Sequence, residues 1–254
     1  MDVLQALFRW IHIIAGIMWI GLLYFFNFVN GPFAAKLAAD AKKAVVPELM
    51  PRALFWFRWG AAWTWVTGIL LLLLVFYHGG IMFDPYDIGW TAGAIASIAL
   101  VFGGVFVYDF LMTSTLIGDQ KIKNAVGFVL AAMVIFIMSG MGHFSYRAYS
   151  IHTGAMFGTI MAFNVWFRIW PAQQKIITAV KNGDAPDGDL VALAGLRSKH
   201  NTYLSVPLIW TMMNQHTVTV SFGIPQQIFL LLVILLGWHI VFQLYARAGK
   251  IEGF

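Results

Sequence analysis

RSKHNTYLSVPLIWTMMNQH, Arg197 to His216, begins as a charged segment and turns apolar at Asn201. It then carries Asn214, Gln215 and His216 into the apolar run, where polar groups are expensive. Ionisable and polar residues at membrane depth mark sites or paired groups, so chemistry is sought here first. His200 and His216 lie sixteen residues apart, roughly 24 Å along a helix. They fall near opposite faces of a bilayer and cannot share one metal, so a site must draw histidines from other spans.

The rest of the chain extends the same reading. Of 254 residues, 60% are hydrophobic and 11% charged, with mean hydropathy +0.77. Soluble domains carry about 25% charged residues. The 16 Lys and Arg against 11 Asp and Glu do not form a nucleic-acid surface, because the bases fall between apolar runs. With no cysteine there is no disulfide, thiolate metal site, iron–sulfur cluster or CxxCH for covalent haem. Histidine, present seven times, is the strong soft-metal ligand that remains. The N-terminus does not read as a cleavable signal, since Asp2 precedes the first base, Arg9, and the apolar run continues past Val29.

Runs of about 18 or more apolar residues read as transmembrane helices. Seven are expected, at about 3–29, 53–77, 90–117, 124–142, 149–170, 201–222 and 225–246. The expected fold is therefore an all-α, polytopic membrane helical bundle forming one membrane domain over residues 1–254. The runs lack the alternation of barrel strands. Lys36, Lys42, Lys43, Arg52, Lys121, Lys123, Lys175, Lys181, Arg197, Lys199, Arg247 and Lys250 fall in one alternate set of connections. The rule that basic loops stay inside then places the N-terminus outside and the C-terminus in the cytoplasm. Two connections read as surface helices, Pro32–Val45 and Pro171–Lys181, and Asp187 or Asp189 is expected to cap a short helix running through Leu196.

With that orientation, His12, His143, His152 and His216 share an outer-leaflet layer from four helices. Bundle interiors build cofactor sites from facing helices in this way. Haem b, one or two per chain, is the economical cofactor, because two neutral imidazoles can hold its iron without cysteine. Candidate iron ligands are two of His12, His152 and His216, with His239 open to a second haem. Gly16, one turn after His12, and Gly154, Ala155 and Gly158 after His152 leave room for a flat ring. An inner polar layer of Asn27, Arg58, Asp109, Asn164, Arg168, His200, Asn201, Thr202 and Tyr203 reads as an interfacial network, with Asp109 pairing Arg58 or Arg168, or as a substrate or proton pocket around Asn27, Asn164, His200, Asn201 and Tyr203.

Four stretches carry a family resemblance: IHIIAGIMWIGLLYFFNFVNGPF (Ile11–Phe33), PRALFWFRWGAAWTWVTGILLL (Pro51–Leu72), IHTGAMFGTIMAFNVWFRIWPAQQK (Ile151–Lys175) and the Arg197–His216 run. The chain resembles the membrane (N-terminal) domain of the bacterial cytochrome-c-linked urate oxidases. His12, His152, His200 and His216 match motif histidines, His239 matches one near the last block, and Asn27, Asn164, Asn201 and Tyr203 match polar motif positions. The resemblance implies an oxidoreductase of the bacterial inner membrane that passes electrons from a small oxidisable substrate such as urate to cytochrome c. Family members carry a C-terminal cytochrome c domain, and this chain has no CxxCH, so a separate periplasmic cytochrome c or a partner redox subunit is expected to take the electrons. The competing reading is a cofactor-free transporter or a structural membrane subunit of a larger complex. The oligomeric state stays open.

Overall fold

The computed structural model describes residues 2–214 and 223–251. Among them the chain is helical throughout, apart from connections and a single antiparallel bridge between Phe83 and Phe144. The helices are α1 (Asp2–Tyr24), α2 (Gly31–Lys36), α3 (Ala39–Leu71), α4 (Ala92–Thr113), α5 (Gln120–Gly140), α6 (Tyr146–Phe163), α7 (Trp170–Asn182), α8 (Gly188–Met213) and α9 (Gln226–Ala248). Three π-helical turns extend α1, α3 and α6: Phe25–Asn30, Leu72–Tyr77 and Asn164–Ile169. Five helical stretches are long and apolar enough to cross a membrane: Asp2–Lys36, Ala39–Tyr77, Ala92–Thr113, Gln120–Gly140 and Gln226–Ala248. Each contains or closely matches an apolar run of the sequence. The runs at 149–170 and 201–222 fall on α6 with its π turn and on the end of α8, the latter only as far as Asn214.

Two surface elements differ from expectation. Pro32–Val45 is not one amphipathic helix. The short α2 stops at Lys36, and α3 starts at Ala39 and runs unbroken into the apolar stretch through Pro47 and Pro51. Each proline removes one backbone donor. The carbonyls so released, of Lys43 and Pro47, lie at the polar end of the helix, where water can take them. The short helix expected after Asp187 is the start of α8 itself, and the Asp187 carboxylate caps it by accepting from the backbone of Asp189 at 2.8 Å and Leu190 at 3.4 Å. The helix expected over Pro171–Lys181 is α7, closed by Gly183 at φ +86°, a left-handed C-cap that suits glycine.

The chain divides into two compact units. One, the α1 unit, comprises Asp2–Gly68, Met161–Val206 and Gly237–Phe254. In it the stripe Ala15, Trp19 and Leu23 of α1 is buried, as are Leu54, Phe57 and Ala61 of α3. Gly60 lets these helices touch, because a Cβ there would lie 3.2 Å from the Ala15 carbonyl and the Trp19 amide. Close approach at small residues is how apolar helices gain contact where no hydrophobic effect drives them together. Arg58 lies over the Trp170 ring at 3.9 Å, and its carbonyl accepts from the Trp166 indole at 3.0 Å.

The other, the α4 unit, comprises Ile69–Ile160 and Pro207–Leu236. Thr91 caps α4 through the Ala94 amide, and Asp119 caps α5 through the Lys121 amide. Lys123, buried in the first turn of α5, donates to the Met112 and Ser114 carbonyls at 3.2 and 2.6 Å. The Met112 carbonyl belongs to the last turn of α4, whose carbonyls lack onward helical donors, and Ser114 is the residue that ends the helix, so the lysine fastens the α4–α5 turn.

Candidate functional site

His152 sits on α6, which starts where the Ser145 hydroxyl accepts from the Ala148 amide. It is wholly buried. Its Nδ1 lies 2.7 Å from the Ala148 carbonyl, which can only accept, so Nδ1 carries the proton and Nε2 holds the lone pair. The Tyr77 hydroxyl fills that lone pair at 3.0 Å. The Tyr77 ring also stacks on the imidazole at 5.6 Å and 21°, and Phe144 packs at 5.1 Å. Two loops are tied beside this aromatic box. The Asp84 amide donates to the His143 carbonyl, and the Ser145 amide and hydroxyl donate to the Met82 and Ile81 carbonyls. Gly154 and Gly158 face neighbours in this unit: a Cβ on Gly154 would collide with Thr211, and one on Gly158 would meet Leu208 at 3.4 Å. These glycines admit side chains of α8.

His12, on α1, belongs to the α1 unit. Its Nδ1 lies 3.1 Å from Thr67 Oγ1, and Thr67 donates to the Trp63 carbonyl at 2.6 Å. Gly68 makes room for the ring, since a Cβ there would lie 3.1 Å from Cε1. Gly16 faces the Thr64 side chain at 3.8 Å. Among the described residues His12 Nε2 has no hydrogen-bond partner. Two turns along the same face of α1, Trp19 is buried and its indole N–H likewise lacks a partner among the described residues.

The inner polar residues of the sequence come together within the α1 unit. Asn27 donates to the Leu23 carbonyl at 2.8 Å and to the Ser198 hydroxyl at 2.9 Å, and it accepts from the Tyr245 hydroxyl at 2.7 Å. Tyr245 stacks on Tyr203 at 6.0 Å, with Lys199 Nζ 5.5 Å from its ring. Tyr24 and Ser205 share a hydrogen bond of 3.0 Å. Asn164 and Asn201 are both fully buried; Asn164 donates to the Asn201 side chain at 2.8 Å, and Asn201 donates to the Met161 carbonyl at 3.0 Å. His200 is half-buried beside Asn201 on α8. These contacts join α1, α6, α8 and α9 by side-chain hydrogen bonds.

Each π turn carries one of these groups: Asn27, Tyr77 and Asn164. A π turn shifts backbone pairing by one residue, as in the Gly31 amide to the Phe26 carbonyl and the His78 amide to the Leu73 carbonyl. Such turns are rare and favour functional positions. In the first of them the Asn27 side chain donates to the Leu23 carbonyl, the acceptor its own backbone amide would take in an α-helix.

Haem needs an imidazole with a free nitrogen. His12 fits that requirement; His152, as folded, does not, because Tyr77 holds its Nε2. His239 is exposed on α9 and lies 3.3 Å from Gln243. His216 lies outside the described residues. Among the described residues no group of three or more His, Asp or Glu is placed to hold a metal ion. Sequence reasoning missed Tyr77 and Thr67. Tyr77 stands at the end of the 53–77 run, where a tyrosine is ordinary, and Thr67 is a single hydroxyl inside that run.

Helices of this length and apolarity, with hydrogen-bonded polar groups buried between them, define an all-helical protein of the membrane-spanning class. Within that class the chain belongs to the urate oxidase N-terminal family, whose model matches residues 37–252. No curated protein matches the chain, and no solved structure matches it.

Proposed function

We propose that the chain is the membrane-embedded electron-transfer core of a urate-oxidase-related system, and that His12 is an iron ligand to haem b. The observation that carries this reading is the His12 imidazole, fixed at Nδ1 by Thr67 with Nε2 left free. A ligating histidine is ordinarily oriented by such a second hydrogen bond. The buried, unpartnered indole N–H of Trp19 supports it too, as a donor of the kind an acidic group would take. When bound, haem supplies a one-electron couple. The protein supplies the rest: Thr67 and Gly68 fix the imidazole, and the apolar surroundings keep water away. The electron acceptor in this reading is a separate cytochrome c or a partner redox subunit, and the donor is urate or a similar small oxidisable molecule. The inner polar junction around Asn27, Asn164, His200, Asn201 and Tyr203 is the surface proposed for that molecule or for proton entry.

The test is haem content of the full chain in detergent for His12→Ala and His152→Ala. The proposal expects His12→Ala to lose haem and His152→Ala to keep it. Full haem in His12→Ala would overturn the assignment. A second reading, a cofactor-free transporter or structural subunit, is favoured by the way the inner polar side chains satisfy one another and the backbone, Tyr245 with Asn27 and Asn164 with Asn201. It expects a colourless protein.

A further inference from the structure

We propose that Thr67 is a positioning residue that sets the tautomer of His12 and so makes Nε2 an electron-pair donor. A hydroxyl has a single proton. Thr67 gives it to the Trp63 carbonyl at 2.6 Å, so toward His12 Nδ1, 3.1 Å away, its oxygen can only accept. Nδ1 must therefore carry the imidazole proton, and the neutral ring presents a lone pair at Nε2. The Thr64 carbonyl, 3.3 Å from the Thr67 hydroxyl, is a second backbone acceptor for the same proton. Thr67 is buried, so no bulk water substitutes for it, and Gly68 leaves room for the ring, whose Cε1 would lie 3.1 Å from a Cβ there.

His152 is the internal comparison. It has the same tautomer, set by the Ala148 carbonyl, but Tyr77 fills its Nε2. The sequence assigns both histidines alike, and the hydrogen bonds separate them. One is prepared to bind, the other is closed.

The tautomer needs no haem to be seen, whereas the consequence for iron rests on the function proposed above. The experiment is the long-range nitrogen–proton NMR spectrum of histidine-labelled full chain in micelles, produced with haem supply limited, with the His12 signal assigned by its loss in His12→Gln. Wild type and Thr67→Ser should show the Nδ1–H pattern, and Thr67→Val, which keeps the shape without the hydroxyl, should move toward Nε2–H. With haem supplied, Thr67→Val should weaken haem retention by about 10- to 100-fold, the usual cost of removing an orienting partner, and Thr67→Ser should restore it. An Nε2–H pattern in the wild type would overturn the proposal whether or not the variants fold. So would an unchanged Nδ1–H pattern in folded Thr67→Val. A tautomer switch in a protein that never takes up haem would leave the Thr67 assignment standing and remove the haem reading.

Discussion

Replacing Tyr77 by Phe tests how far the box around His152 depends on one hydroxyl. The ring stacks on the imidazole at 5.6 Å, and phenylalanine keeps that contact, so the change removes the oxygen alone. What is lost is the 3.0 Å hydrogen bond to Nε2 of a side chain with no exposed surface. An acceptor buried without its donor costs roughly 1–3 kcal/mol in a soluble protein. Hydrogen bonds between membrane helices measure lower, about 0.6 kcal/mol on average and up to about 1.7. The Ala148 carbonyl keeps the imidazole tautomer fixed, so Nε2 cannot turn itself into a donor to escape. The expected loss is therefore near the top of the membrane range, about 1–2 kcal/mol, or roughly 5- to 30-fold in the unfolding equilibrium. The assay is denaturant unfolding in bicelles followed by tryptophan fluorescence, run as a double-mutant cycle with His152→Leu. Tyr77→Phe should cost almost nothing once His152 is already replaced by leucine. Equal losses in both backgrounds would refute the pairing.

Other substitutions probe other parts of the account. Asn201→Leu removes the bonds to Asn164 and to the Met161 carbonyl and should cost about 1–3 kcal/mol, measured in the same unfolding assay. Gly154→Ala drives a methyl group into Thr211 and should lose about 1–3 kcal/mol, whereas Gly21→Ala, with nothing within 4 Å, should leave the melting temperature unchanged or slightly higher. Asp187→Ala removes the cap of α8 and should cost about 1 kcal/mol, read from thermal unfolding.

Much of the fold is legible in the sequence because bilayer crossing imposes one crude rule, a long apolar run, and the five helical stretches obey it. Element boundaries near prolines are less legible. A surface helix over Pro32–Val45 and a separate span from about residue 53 were expected, yet α3 runs from Ala39 through Pro47 and Pro51, since the released carbonyls lie near a helix end. The π turns leave no sequence rule to apply, although they carry Asn27, Tyr77 and Asn164. For the candidate site, the residue types were readable and their states were not. His12 and His152 look alike in the chain, each a histidine in an apolar run with a glycine within about one turn, Gly16 for one and Gly154 for the other. What distinguishes them is a partner 55 or 75 positions away, Thr67 for one and Tyr77 for the other. Such contacts depend on how helices meet, which single-sequence periodicity does not encode. The inner asparagines were legible as a group, because an amide in an apolar run must find a partner, and within the α1 unit it does.

The most direct test of the central claim is the visible absorption spectrum of the detergent-purified full chain, oxidised and then dithionite-reduced, with haem quantified per chain. The account predicts a b-type spectrum at one or two haems per chain that disappears in His12→Ala. A colourless protein, made with ample haem supply, would contradict it and bring forward the cofactor-free reading built on the inner polar junction.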